Sequence, residues 1–125
     1  MLDKPRKSYT ELLGKTNRIV ESTIIKGDIV STADFRLDGE LTGNLTSKGK
    51  IVIGPAASVT GDIICKNADI EGRFNGRIEV TEVLNIKAKA FIKGEVIVGR
   101  LSVEPGAEFS ASCTMRDAIN PEQEK

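Results

Sequence analysis

Glycine returns through this chain inside one recurring unit, apolar-x-Gly-x-apolar: IKGDI at 25–29, LTGNL at 41–45, VTGDI at 59–63, FNGRI at 74–78 and IKGEV at 92–96. A sixth copy, FSASC at 109–113, carries Ala111 at its centre. The central positions 27, 43, 61, 76, 94 and 111 lie 15 to 18 residues apart. A second column keeps the same count: Ile19, Leu37, Ile53, Ile70, Ile86 and Val103 each precede one copy. A third follows each copy at Ser31, Ser47, Cys65, Val80, Val98 and Met115. So short a period excludes a strand with its crossover helix, which needs about 30 residues. It suits one rung of a parallel β-helix, with a short alternating strand on each of three sides. A meander of hairpins would need Asn-Gly or Asp-Gly turns between strands, and only Asp38-Gly39 offers one. The expected fold is all-β, a parallel solenoid of about six three-sided rungs.

The glycines then have places. Gly27, Gly39, Gly43, Gly61, Gly72, Gly76 and Gly94 are assigned to corners, or to points where a side chain would collide with the neighbouring rung. In DIEGRFNGRIEV, at 69–80, Gly72 and Gly76 are expected to carry a long apparent strand round a corner. The joint between the second column and the glycine unit alternates in length. It is short in LDGEL and IEGRF and longer in IGPAASV, IKAKAFI and VEPGAEF, where Pro55 and Pro105 fit a bend that needs no N–H. Outside, stacking should set Asp62, Arg77 and Glu95 in one charged ladder and Glu71, Lys87 and Glu104 in another.

Composition narrows the function. The chain has no histidine, which removes the commonest general base and the commonest metal ligand. IGPAAS lacks the Lys-Ser/Thr ending of a phosphate loop. The expectation is no enzyme, no metal and no cofactor. Basic and acidic residues balance at 18 each, and 4 Phe with 1 Tyr and no Trp supply few stacking platforms, so no nucleic acid is expected. No apolar run reaches the roughly 18 residues of a membrane span, and no secretory leader follows the first charges, which points to a cytoplasmic protein with free thiols. Cys65 falls in an inward column and Cys113 near the last rung, too far apart for a disulfide.

Residues 1–16 do not repeat and form a flexible arm, 17–115 the solenoid, and 116–125 a polar tail. The arm holds Lys4, Arg6 and Lys7 beside Leu2, Leu12 and Leu13, which makes it the candidate contact with an anionic membrane surface or a partner. The tails are too short and polar to close both ends of the stack. That leaves Ile19, Ile25 and Ile29 on the first rung, and Leu101, Val103, Phe109 and Met115 on the last, as a candidate polymer interface. The fitting cover is another copy of the protein. The alternative is a non-polymerising adaptor that shows one ladder face to a protein partner.

Three segments in order, FRLDGELTGNL, KIVIGPAASVTGDI and ADIEGRFNGRI, make the chain resemble the bactofilins over about residues 17 to 115. The resemblance implies a right-handed parallel β-helix that stacks end to end, without nucleotide, into non-polar cytoskeletal filaments. It further implies association with the inner face of the membrane through the arm. A scaffold for cell shape or peptidoglycan organisation, with cell-wall-modifying or envelope proteins as partners, would follow. Ala111 departs from the family's glycine, and the arm lacks a strong leading apolar cluster.

Overall fold

The computed structural model describes residues 16–116, and every strand pairing in it is parallel. Rung one consists of β1 (Thr16–Ile19), β2 (Ile24–Lys26) and β3 (Ile29–Ser31). Rung two repeats the plan with β4 (Asp34–Leu37), β5 (Glu40–Thr42) and β6 (Leu45–Ser47). After β7 (Lys50–Ile53) the strands lengthen and run unbroken round two corners: β8 (Ser58–Ile70), β9 (Arg73–Ile86) and β10 (Phe91–Val103), closed by β11 (Glu108–Met115). The coil is a right-handed solenoid of about six turns.

The register follows the sequence columns. Ile19 stands over Leu37, Leu37 over Ile53, and Ile70 over Ile86, which in turn faces Val103. Alternation sends these side chains inward at every second place. Phe74, Leu41, Ile63, Ile78 and Ile92 join them in a core that excludes water. Each such side chain contributes about 1.5–3 kcal/mol relative to exposure. The fully buried residues begin at Phe35 and end at Val98, so among the described residues rungs one and six contribute none.

The glycine column explains the tight corners. Gly43, Gly61, Gly76 and Gly94 all have φ between +126° and +147°. A Cβ at Gly76 would land on the carbonyl oxygen of Gly61, and each of the others meets the glycine one rung below in the same way. Only a residue without a side chain fits such a φ and such an approach. In rung two this corner separates β5 from β6, whereas Gly61, Gly76 and Gly94 sit within continuous strands, so pairing is kept through the bend. Gly39 and Gly72 occupy the two-residue joints instead. There a Cβ would strike the carbonyl oxygens of Thr23 and Val20, or of Gly54 and Ala57.

The four-residue joints are β-turns. Ala57 N donates to Gly54 O at 3.0 Å, Ala90 N to Lys87 O at 3.0 Å and Ala107 N to Glu104 O at 3.2 Å. In the last of these Gly106 takes a positive φ after Pro105, the residue order of a type II turn. The first joint, closed by Thr23 N to Val20 O at 3.2 Å, puts Ser22 at φ 76° in the same place.

Candidate assembly interface

The sides of the solenoid are finished surfaces. On the outside, Lys50 meets Asp69 at 3.0 Å, Arg77 meets Glu95 at 3.6 Å and Lys87 meets Glu104 at 3.7 Å, joining neighbouring rungs. Such half-exposed pairs contribute little each. Burial pushes the Asp69 carboxyl up, but hydrogen bonds from Asn85 and Lys50, with the charges of Lys50 and Lys87, hold it below the ordinary carboxylate value. Among the described residues no group of three or more His, Cys, Asp or Glu side chains is placed to hold a metal ion. Nor is any helix there long and apolar enough to cross a membrane.

The ends are different. At the first, β1, β2 and β3 each have a neighbour on one side only among the described residues, β4, β5 and β6. Ile19, Ile25 and Ile29 pack on the core from below but remain half-buried, because no further rung lies beneath them among the described residues. Asn17 shares the inward column of Phe35 and Ile51. Its Nδ2 donates to Ser31 Oγ at 2.8 Å, and Ser31 Oγ accepts from Ala33 N at 3.1 Å. One rung up, Ser47 Oγ repeats the device, donating to Ala33 O at 2.8 Å and accepting from Gly49 N at 3.0 Å. The hydroxyls thus satisfy corner amides that the rung-to-rung ladder leaves out.

At the other end Leu101 and Phe109 are half-buried against the core, and Val103 and Met115 stand 44% and 56% exposed. Cys113 is exposed beside Met115, with Sγ to Sδ at 3.9 Å. Cys65, by contrast, is enclosed, and burial pushes its thiol up to about 12. Both cysteines are free. Ala111 faces Gly94 in register, but the positive φ of the column stops there.

The structure therefore gathers Ile19, Ile25 and Ile29 at one open end, and Leu101, Val103, Phe109 and Met115 at the other. Leu2, Lys4, Arg6, Lys7, Leu12 and Leu13 lie outside the described residues. Sequence reasoning missed three further residues at the first end. Val20, Ile24 and Val30 point outward on rung one and are strongly exposed. Aligning the outward columns would have found them, since Glu40 follows Ile24 and Thr46 follows Val30 one rung up.

Among the described residues the protein is a β-solenoid with charged pairs along its sides and half-buried or exposed apolar side chains on both end rungs. Comparison with known proteins gives that class its family. Residues 17–114 match the family model described as "Bactofilin: Polymer-forming cytoskeletal", and the chain belongs to the bactofilin family. It is similar to Bactofilin BacO of Myxococcus xanthus (strain DK1622), 26% identical over 89% of this chain and 87% of that one. It is also similar to Bactofilin BacP of the same strain, 26% identical over 77% of this chain, and there it spans only 40% of the relative's length. No solved structure matches. The protein is thus a structural, polymer-forming cytoskeletal protein of bacteria.

Proposed function

We propose that this protein assembles end to end, rung against rung, into non-polar filaments that need neither nucleotide nor metal. One observation carries the reading: full burial stops at Phe35 and Val98, so each end exposes part of the apolar cross-section. Unpaired strand edges above an apolar core invite another rung, and a solenoid that stays monomeric normally carries polar capping repeats. The filaments would scaffold cell-shape or cell-envelope machinery on the cytoplasmic side of the membrane, with the segment ahead of β1 as the attachment arm.

Phe109→Arg tests the end contact. Its ring rests on the core from one side only, so the arginine stays solvated in the monomer. Once covered by a neighbour, the charge would be buried without a partner, at a cost of several kcal/mol. The variant should keep its β circular dichroism and stop pelleting. Phe74→Arg, in an enclosed site of rung four, should lose the fold altogether. If Phe109→Arg pellets like the wild type, the contact lies elsewhere. Wild-type filaments should form in the presence of a chelator and without ATP or GTP. A wild type that sediments as a monomer at high concentration would point to the adaptor instead.

A further inference from the structure

The third side of the coil, on which β3 and β6 lie, changes character along its length. In its upper half the outward charges answer one another. Arg77 lies 3.6 Å from Glu95 and 3.8 Å from Glu79, and Arg116 reaches Glu79 at 3.6 Å. Ile97, which points outward among them, is only 5% exposed. That half is covered and neutralised.

The lower half is neither. Val30 is 80% exposed and Ile64 45%, in one outward column with Thr46 between them. Two rungs set them about 10 Å apart. Along one margin run Asp28, Asn44 and Asp62, joined through the backbone: Asn44 N donates to Asp28 Oδ1 at 3.2 Å, and Asp62 N to Asn44 Oδ1 at 3.3 Å. Neither aspartate has an ion pair among the described residues. On the opposite margin stand Lys48 and Lys66, the latter drawn to Glu82 at 3.7 Å. Rungs one to three therefore offer an uncovered apolar strip with an unanswered acidic edge.

The chain carries the complement itself. Ahead of β1, residues 1–15 hold Leu2, Leu12 and Leu13, with Lys4, Arg6, Lys7 and Lys15 against Asp3 and Glu11. They lead into Thr16, which stands in the column of Asp34, just past the corner where the third side ends. A segment of that length reaches up to about 50 Å, several times the length of the strip. We propose that residues 1–15 dock on the lower third side of their own chain. Their leucines lie against Val30 and Ile64, and their cations face Asp28 and Asp62. A tethered segment meets its site at an effective concentration in the millimolar range, so a contact too weak to hold a free peptide is still occupied. The inference does not depend on end-to-end assembly. It gives the membrane a competitor, because leucines and cations laid on the strip are withheld from lipid.

The test is limited trypsin digestion of the full-length protein, at dilutions where nothing pellets, with the cuts after Arg6 and Lys7 followed by mass spectrometry. Where docking and release are fast, the rate of cutting follows the undocked fraction. Asp28→Asn/Asp62→Asn should raise that rate about threefold or more, and ~500 mM salt should do the same to the wild type. Asparagine keeps the Oδ1 that accepts from Asn44 N, so the circular dichroism melting curve should not move. Val30→Thr/Ile64→Thr keeps the strand propensity and should also speed the cuts. Glu40→Gln/Glu108→Gln removes the same charge from the second side, where β2 and β5 lie, and should change the rate by less than about 1.5-fold. Strip variants cut no faster than the wild type overturn the inference. Protection that fades on dilution would put the segment on a neighbouring molecule and overturn docking within one chain. A wild type cut as fast as a free peptide of residues 1–15, and slowed only by vesicles of phosphatidylcholine and phosphatidylglycerol, would assign the segment to lipid and overturn it as well.

Discussion

The two ends of the solenoid share a half-buried apolar inward side and differ in their outward one. At the first, the inward side carries Ile19, Ile25 and Ile29 beside a polar pair, Asn17 and Ser31, and the outward rim is apolar at Val20, Ile24 and Val30. At the last, the inward side is apolar through Leu101, Phe109 and Ala111, while the outward positions are Ser102, Glu108, Ser110 and Thr114. Neither arrangement is a cap. A cap would place charges across the open cross-section, and neither end does so among the described residues. What differs is the rim, apolar at the first end and polar at the last.

The largest expected effect separates both ends from the middle. Gly76→Ala should abolish folding, because the new methyl would occupy the place of the Gly61 carbonyl oxygen and the φ of +146° is closed to it. Gly27→Ala has the same kind of dihedral, φ +135°, but nothing within 4 Å of the added carbon. It should cost about 1–3 kcal/mol, the dihedral penalty without the clash. Urea unfolding of the two variants decides this. Equal losses would mean that the first rung is as tightly held as the fourth.

The cysteines give a second, milder comparison. A maleimide should label Cys113 quickly in the monomer and slowly in the polymer, and Cys65 only after unfolding. Equal labelling in monomer and polymer would leave the last rung uncovered. Cys65 also predicts a pH dependence. Its folded value lies near 12 against an ordinary value of 9.0, so the unfolded chain loses the proton first. The stability it contributes is complete below pH 9 and declines as the pH rises from there toward 12. Cys65→Ala should flatten the alkaline limb of a stability-pH curve; an unchanged limb would assign it to other groups.

The smallest effect contrasts the first joint with the last. Both turns need a positive φ at their third residue; Gly106 supplies it freely and Ser22 does not. Ser22→Gly should therefore stabilise by up to about 1 kcal/mol, a rise of a few degrees in Tm. A loss of stability would show that the Ser22 side chain contributes more than its backbone costs.

Much of this architecture could be read from the chain. The columns through Ile53, Ile70 and Ile86 and through Gly61, Gly76 and Gly94 fall at the period read from the sequence, because a rung that stacks on a copy of itself must repeat both its core and its corners. The inward place of Cys65 followed from the same alternation. What stayed hidden had non-periodic causes. Ser22 adopts a glycine's dihedral with no glycine in VEST to announce it. The extra residue at the corner after rung four, where Thr81 and Glu82 stand against the single Lys66, shows only in the register. Val20, Ile24 and Val30 were passed over because an exposed valine or isoleucine is ordinary in itself and only the inward columns were aligned. Val20, Ile24 and Val30 acquire meaning only once their outward direction and the open edge beside them are known.

Parallel pairing has a mechanical consequence. The hydrogen bonds between rungs run along the axis of the coil, so in a filament they would run along its length. A pull on the ends loads every bond between two adjacent rungs at once. Inside a subunit each such layer is knitted round three sides and stitched by the glycine corners. A junction between molecules stacked end to end would have neither a covalent thread nor a shared corner. Stretched, such a fibre would part at the seams between subunits and leave each coil intact, ready to rejoin.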